Sequence, residues 1–358
     1  MNAFSAVGSW ITERLPVSAA DLRELTNEPV PNHLKRWWFA LGGTPAYLFV
    51  VQIVTGILLA VYYQPSPTTA YESVEYITTQ LPYGWYLRSV HKWAATLMIA
   101  AVILHQMRVY FTGAYRKPRE INWIVGMLML ICTLTLGFTG YSLFYEQLSY
   151  WGATVGANIA GQVPLVGGLM RDMLLGGDGY NPRTLPRFFI LHAAVLPVVL
   201  ILLIVLHIAI IRLQGVTKFE FEDERAEPGE SPPSRRTFDF FPDHMLTELA
   251  IGLVLMVMLS FLATLWPATM GPRADPLVTP DVIKPEWFFY VSFRWLKLFS
   301  GLTAVLSMGF VVFVMFAWPF IDEQIRRRTR FTEASVWIGI CGVFAIIALT
   351  VWEAVVAH

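Results

Sequence analysis

Seven runs of this chain carry no Asp, Glu, Lys or Arg and are almost wholly apolar: Trp37–Tyr63, Trp93–Met107, Ile121–Tyr145, Phe188–Ile211, Leu249–Met270, Leu298–Ile321 and Ala334–Trp352. A helix rises about 1.5 Å per residue, so runs of this length cross roughly 30 Å of hydrocarbon. The second run is the shortest, bounded by Lys92 and Arg108, whose long side chains can reach back to the interface. In lipid the backbone must satisfy its own hydrogen bonds, which leaves helices for spans of this kind. Charged residues make up 15% of the chain, against about 25% in soluble domains. The expected fold is an all-α polytopic membrane protein with seven transmembrane helices.

The connecting segments set the orientation. Seventeen Lys and Arg lie in segments 1–36, 108–120, 212–248 and 322–333, against nine in 64–92, 146–187 and 271–297. Basic residues concentrate on the cytoplasmic side, so the N-terminus is expected inside and the C-terminus outside. Residues 1–36 mix both charge signs with no basic start and apolar core, so no cleavable signal peptide is expected. The net charge is zero, which gives no footing for nucleic-acid binding. The two cysteines, Cys132 and Cys341, each sit inside an apolar run and read as small buried hydrophobes rather than a metal or disulfide framework.

Four domains are expected: a cytoplasmic segment 1–36, a four-helix bundle over 37–215, a charged, Pro-rich cytoplasmic linker over 216–243, and three helices with a long outer loop over 244–358. The outer segments 146–187 and 271–297 are too long for plain turns, and such loops usually carry function.

Four of the seven histidines lie in or at the ends of apolar runs: His91 and His105, His192 and His207. Ionisable groups at this depth are costly and mark function. The first two are fourteen residues apart. That is about 40° short of four helical turns, so they share a face roughly 21 Å apart along the axis. The second two are fifteen apart, about 60° past four turns. If the two helices run antiparallel, His91 meets His192 near one surface and His105 meets His207 near the other. A bare metal between two imidazoles would need further ligands, and no Asp, Glu or Cys lies at these depths. A porphyrin supplies four nitrogens and leaves the two axial positions to the protein, so each pair is expected to hold one haem.

Small residues support this reading. Gly42 and Gly56 lie fourteen apart in the first span, and Gly126 and Gly140 fourteen apart in the third, the interval of His91 and His105. Small residues also let bare helices approach; their register with the histidines is what points to flat surfaces for a porphyrin. Arg88 and Arg108, three residues outside His91 and three beyond His105, are placed to pair with haem propionates.

From about Pro31 to its end the chain resembles the cytochrome b of respiratory and photosynthetic cytochrome bc-type complexes. The resemblance rests on VVQIVTG at 50–56, RSVHKW at 88–93, LHQMRVY at 104–110, KPRE at 117–120, GFTGYS at 137–142, YWGATV at 150–155, RFFILH at 187–192, Asp275-Pro276 and KPEWF at 284–288. The fourteen residues between His192 and His207, and seven spans rather than eight, resemble the chloroplast-type complex, whose two chains look fused here near residues 217–230.

The resemblance implies a membrane subunit that oxidises quinol at the outer face. One electron would pass to a Rieske iron–sulfur protein and the other through two non-covalent b haems to a quinone at the inner face. Protons would be released outside and taken up inside. It implies Glu286 as the proton-accepting base. Gly152, Val155, Tyr145, Pro285 and Phe288 would be walls of the quinol pocket, and Arg212 and Lys117 inner-site candidates. A cytochrome c-type subunit or carrier, a homodimer, lipid contacts and a bacterial cytoplasmic membrane are the expected setting.

Three departures bear on this. Phe144-Tyr145 replace the family's Pro-Trp, Phe288 replaces the tyrosine of its Pro-Glu-Trp-Tyr motif, and Ala40 stands where some relatives carry a haem-attaching cysteine. The last argues against a covalent haem. Two other readings share some features. A di-haem electron relay without quinol oxidation would have no need of PEWF, and a transporter with buried histidines would show broken helices near mid-membrane.

Overall fold

A computed structural model describes residues 29–31, 37–215, 217, 237–329 and 333–356. Seven helices among them are long and apolar enough to cross a membrane: Ala40–Ala60, Gly84–Phe111, Glu120–Phe144, Thr184–Gln214, Pro242–Leu265, Gly301–Arg328 and Ala334–Val355. These are the seven expected spans, and this is a multi-pass membrane protein. The N-terminal segment up to residue 28 and linker residues 218–236 lie outside the described residues.

The helices are α1 (Gly43–Ala60), α2 (Ala70–Thr79), α3 (Gly84–Phe111), α4 (Glu120–Tyr141), α5 (Gln147–Gly161), α6 (Gly167–Leu175), α7 (Thr184–Ile190), α8 (Leu196–Gln214), α9 (Met245–Leu265), α10 (Tyr290–Leu298), α11 (Gly301–Arg328) and α12 (Ala334–Val355). By its contacts the chain divides into two units. One unit is Met1–Thr44 with Val216–Val257, and the other is Pro45–Gly215 with Met258–His358.

The first unit contains a two-stranded antiparallel pairing, β1 (Pro29–Pro31) with β2 (Thr237–Asp239), Val30 opposite Phe238. Within it, the Glu248 carboxylate lies directly over Gly43, and His244 Nε2 stands 3.8 Å from Glu248 Oε1.

The second unit holds the bundle, with its apolar surface turned outward. Along α8, Val198, Leu202 and Val205 are all more than half exposed, as lipid-facing residues are when the solvent is hydrocarbon. Several threonines in the spans return their hydroxyls to the carbonyl one turn back, as Thr55 does to Val51 at 2.6 Å and Thr133 to Met129 at 2.9 Å, which satisfies those hydroxyls without water.

The two ends of this unit are closed by cores of different kinds. At the His91 end, Ala70, Leu143, Tyr145, Tyr150, Ala153, Leu185, Phe188 and Ala274 form a buried cluster under the loops. The long loop 146–187 is built as α5 and α6, and segment 64–83 forms α2, a helix the sequence reading passed over. At the other end Tyr115, Trp123, Met127 and Trp318 pack together. Beside them Asp322, fully buried, takes Arg116 Nε at 3.0 Å and Arg326 Nε at 3.1 Å and accepts from Ser335. A buried carboxylate persists only when paired and hydrogen-bonded in this way.

The fourth span begins irregularly. Leu191–Val195 is a π turn between α7 and α8, followed by Pro197. Proline has no N–H to donate to the turn before it, and the wider turn takes up about one residue more than an α turn. His192 and His207 are fifteen residues apart. Four α turns take about fourteen and the π turn absorbs the fifteenth, which returns both histidines to one face.

Candidate functional site

The His91 and His192 rings face each other across the bundle, 6.3 Å between centres and 75° between planes. A metal–imidazole bond is about 2 Å, and the ring centre lies about 1 Å behind the nitrogen. Two imidazoles sharing one metal therefore stand roughly 6 Å apart, which matches the pair.

The second ring nitrogen of each is held. His91 Nδ1 is 2.8 Å from Thr55 Oγ1. His192 Nδ1 is 3.1 Å from the Leu136 carbonyl and 3.3 Å from Thr139 Oγ1. A hydrogen bond at Nδ1 fixes the ring and leaves Nε2 as the ligating atom. Gln52 Nε2 also donates to the His91 carbonyl at 2.7 Å, tying α1 to α3 at this level.

The glycines crowd these rings. A Cβ on Gly56 would lie 3.3 Å from His91 Cε1. One on Gly140 would lie 2.6 Å from His192 Cε1 and 3.1 Å from both ring nitrogens. Helices α1 and α4 can thus approach the ligand rings only because these positions are bare.

About four helical turns deeper a second pair follows. His105 lies within electrostatic reach of His207 and Arg108, and Arg108 Nη2 is 3.2 Å from His105 Nδ1. His207 lies toward the Asn122 backbone, fourteen residues before Leu136 on α4, and its Nδ1 is buried without a hydrogen-bond partner. A Cβ on Gly126 would meet only Gln106 Oε1, at 3.8 Å. Gly42 ends the 3₁₀ turn Trp37–Gly42 in the first unit.

Among the described residues no group of three or more His, Cys, Asp or Glu could hold a metal ion. The His91–His192 pair, with both Nδ1 atoms engaged and bare flanking glycines, instead fits a haem, whose own nitrogens complete the coordination.

Arg88 is buried and its guanidinium is largely committed. It donates to the Ala268 carbonyl at 2.9 Å, the Thr269 carbonyl at 3.0 Å and Thr78 Oγ1 at 3.2 Å, with Nε left unpartnered. It therefore also staples α3 to the loop after α9.

Beside the His91 end a second group of side chains gathers. Pro285 and Glu286 precede a 3₁₀ turn, Trp287–Phe289, that leads into α10. Glu286 occupies the N-cap position but its carboxylate makes no capping hydrogen bond, so it is not spent on the helix dipole. Phe288 rests on the bare face of α4, its Cε2 3.1 Å from where a Gly137 Cβ would be. Phe289 meets Phe138 edge-on at 6.3 Å, and Phe138 in turn fills the gap left by Gly156.

Gly152 and Val155 lie on the same helix, α5, and a Cβ on Gly152 would reach 3.5 Å from Tyr141 Cε1. Tyr145 goes elsewhere. Its backbone is left-handed, with φ 53°, and its ring packs 6.0 Å from Tyr150 and 6.1 Å from Tyr180 in the loop core. Tyr141 is the tyrosine beside Gly152. The GYS motif contained it, but only the α4–α5 packing singles it out.

Lys117 and Arg212 are both exposed at the other end. Their segments adjoin through Gln214 Nε2 donating to the Pro118 carbonyl at 2.7 Å and Arg119 to that of Gly215. Sequence reading also passed over the His244–Glu248 pair, whose signal is an i, i+4 spacing at the start of an apolar span.

Two family models match consecutive parts of the chain: Cytochrome b/b6/petB over residues 25–215 and Cytochrome b(C-terminal)/b6/petD over residues 273–358. The chain is 46% identical to the cytochrome b6 of Heliobacterium mobile over 209 residues, 58% of this chain and 98% of that protein. It is 34% identical to the cytochrome bc complex cytochrome b subunit of Chlorobaculum thiosulfatiphilum over 333 residues, 91% of this chain and 76% of that one. A solved chain of a hyperthermophilic respiratory Complex III superposes with TM-score 0.82 at 26% identity, covering 98% of this chain and 92% of its own.

Proposed function

This chain belongs to the cytochrome b/b6 family, and on that footing we propose that it is the quinol-oxidising, haem-carrying membrane subunit of a cytochrome bc-type oxidoreductase. The observation that carries the reading is the His91–His192 pair, 6.3 Å apart with both Nδ1 atoms engaged, next to the Glu286–Phe288 turn on the same end of the bundle. His91 and His192 hold one haem b there; His105 and His207 hold a second at the other end, neither covalently attached, with Arg108 and Arg88 serving the propionates. Bound haem supplies one-electron chemistry at both ends of the bundle.

The residues of this chain do the rest. Gly140 and Gly56 give the ligand rings room, and Thr55 and Leu136 fix their orientation. At the His91 end, taken as the outer face, Gly152 and Val155 on α5, Tyr141 on α4, and Pro285 and Phe288 are the walls proposed for the quinol ring. Glu286 takes a proton from the quinol hydroxyl, because quinol gives up electrons readily only as it loses protons. With Phe288 in place of a tyrosine, no hydroxyl from this motif competes for that role.

At the inner face Lys117 and Arg212 offer positive charge to a quinone being reduced and protonated. A Rieske iron–sulfur protein and a cytochrome c-type carrier are the expected electron partners. A homodimer in a bacterial cytoplasmic membrane, N-terminus inside, is the expected setting. The PEWF turn seated against α4 favours this reading over a bare electron relay.

The test is inhibitor-sensitive quinol oxidation by the purified complex, with its partner subunits identified and its visible spectrum recorded. A haem spectrum without quinol turnover would leave only the relay, and no haem spectrum at all would remove both.

A further inference from the structure

Five residues beyond Tyr141, past the end of α4, Glu146 opens α5 from a position fixed by backbone on both sides. The Ala274 N–H donates to the Tyr145 carbonyl at 3.0 Å and the Gln147 N–H to the Pro272 carbonyl at 2.9 Å, which sets Glu146 against Arg273 as an isolated antiparallel bridge. From there the side chain turns inward and is only 14% exposed. Its Oε1 is buried with no hydrogen-bond partner, 3.9 Å from Arg88 Nη2. The other oxygen lies toward Gly271, 3.1 Å from where its Cβ would be.

A carboxylate retained only as a counter-ion would be expected to close both oxygens on the guanidinium. Here Arg88 spends its shorter hydrogen bonds on neutral acceptors, and Glu146 keeps one oxygen open. Ser149 Oγ accepts from the Glu146 N–H at 2.9 Å in a capping box whose other half is the Glu146 side chain turned to the Ser149 backbone, and Oε1 is still left without a partner.

Arg88 stands 3.9 Å away, and the other charged or titratable groups within electrostatic reach are Lys92 from α3, Glu286 from the PEWF turn, Tyr141 from α4 and Tyr71 from α2. Tyr141, the tyrosine beside Gly152, stands in the field of both carboxylates. Burial holds the Glu146 carboxyl above the ordinary carboxylate range. Glu286 pushes the same way, and the Gly271 amide, Arg88 and Lys92 oppose. On its far side the Arg273–Glu72 ion pair is about half exposed, so the route from Glu146 to water is short.

We propose that Glu146 is the second proton carrier of this pocket, taking at Oε1 the proton that Glu286 has received from quinol and releasing it to water at the outer surface. The inference rests on the quinol-oxidising reading of this end of the bundle. In the step an O–H bond on Glu286 breaks and one on Glu146 forms; Glu286 returns to its carboxylate, ready for the next quinol. The Glu146 O–H then breaks to water. Only a proton moves, so no oxidant is consumed.

The test compares Glu146→Gln, Glu146→Asp, Glu286→Gln and the double Gln variant in the purified complex, as steady-state quinol oxidation across pH 5–9, with haem content as the check on folding. A carrier must be unprotonated to accept, so a raised carboxyl places an acid limb in the wild-type profile. Glu146→Gln should slow turnover about tenfold or more and erase that limb, and the double variant should be no slower than the slower single. Glu146→Asp, which keeps a charge beside Arg88, should retain most of the rate with the limb displaced. A Gln variant at wild-type rate and profile, or a loss uniform across pH and not rescued by Asp, overturns the assignment of Glu146 while leaving Glu286 standing. Absence of quinol oxidation by the wild-type complex overturns both readings together.

Discussion

Replacing Gly140 by alanine should cost the chain the haem on His91 and His192. The new methyl carbon would lie 2.6 Å from His192 Cε1 and 3.1 Å from both ring nitrogens. An ordinary carbon contact begins near 3.4 Å, so the ring has to retreat by about 0.8 Å. It cannot do so freely, because Nδ1 is held by the Leu136 carbonyl at 3.1 Å and Thr139 Oγ1 at 3.3 Å. A metal bond of about 2 Å does not stretch that far, so either the ligand bond or the Nδ1 hydrogen bonds give way. Overpacking of this kind costs about 1–3 kcal/mol, which is roughly five- to 150-fold in haem affinity. The assay is a reduced-minus-oxidised spectrum with a redox titration of purified protein, read against Gly309→Ala, where an added Cβ meets nothing within 4 Å. Gly140→Ala should lose or shift the component assigned to His91 and His192 and leave the other unchanged. Full haem content with both midpoint potentials unmoved would refute the argument that this glycine exists to admit the ring.

Other outcomes follow from the same geometry. His105→Ala and His207→Ala should each remove the same haem and spare the one on His91 and His192; loss of different haems from the two variants would break the pairing. Ala40 offers no thiol for a thioether, so a denaturing gel stained for haem peroxidase activity should be blank at the 40.5 kDa of the chain, and a stained band there would contradict non-covalent binding. Glu286→Gln keeps shape while removing basicity, so it should slow quinol oxidation about tenfold or more with both haem spectra intact; wild-type turnover with an unchanged pH profile would reduce Glu286 to a residue that merely precedes a helix.

How far a linear reading reaches depends on the range of the interaction read. Hydrocarbon acts on every residue of a span alike, so seven apolar runs are enough to predict seven crossings. A straight helix carries its period along its own axis, so His91 with His105 and Gly126 with Gly140 could be placed on common faces by counting. The count does not close for His192 and His207, because the π turn at Leu191–Val195 that absorbs the extra residue is read from backbone geometry rather than composition. Packing between elements distant in the chain is likewise invisible to a count. Which tyrosine stands beside Gly152 depends on how α4 meets α5, and Tyr145, adjacent in sequence, is turned into the loop core by its left-handed backbone. Arg88 sits as expected three residues before His91, yet its partners are carbonyls about 180 residues away, and a loop's return to a helix has no local signature. Glu146 is the sharpest case. As a letter it is one acid among aromatics; it becomes a largely buried, half-satisfied carboxylate within the field of Glu286 only when loop 271–274 folds beside it, because burial and field are properties of neighbours that the tertiary structure supplies.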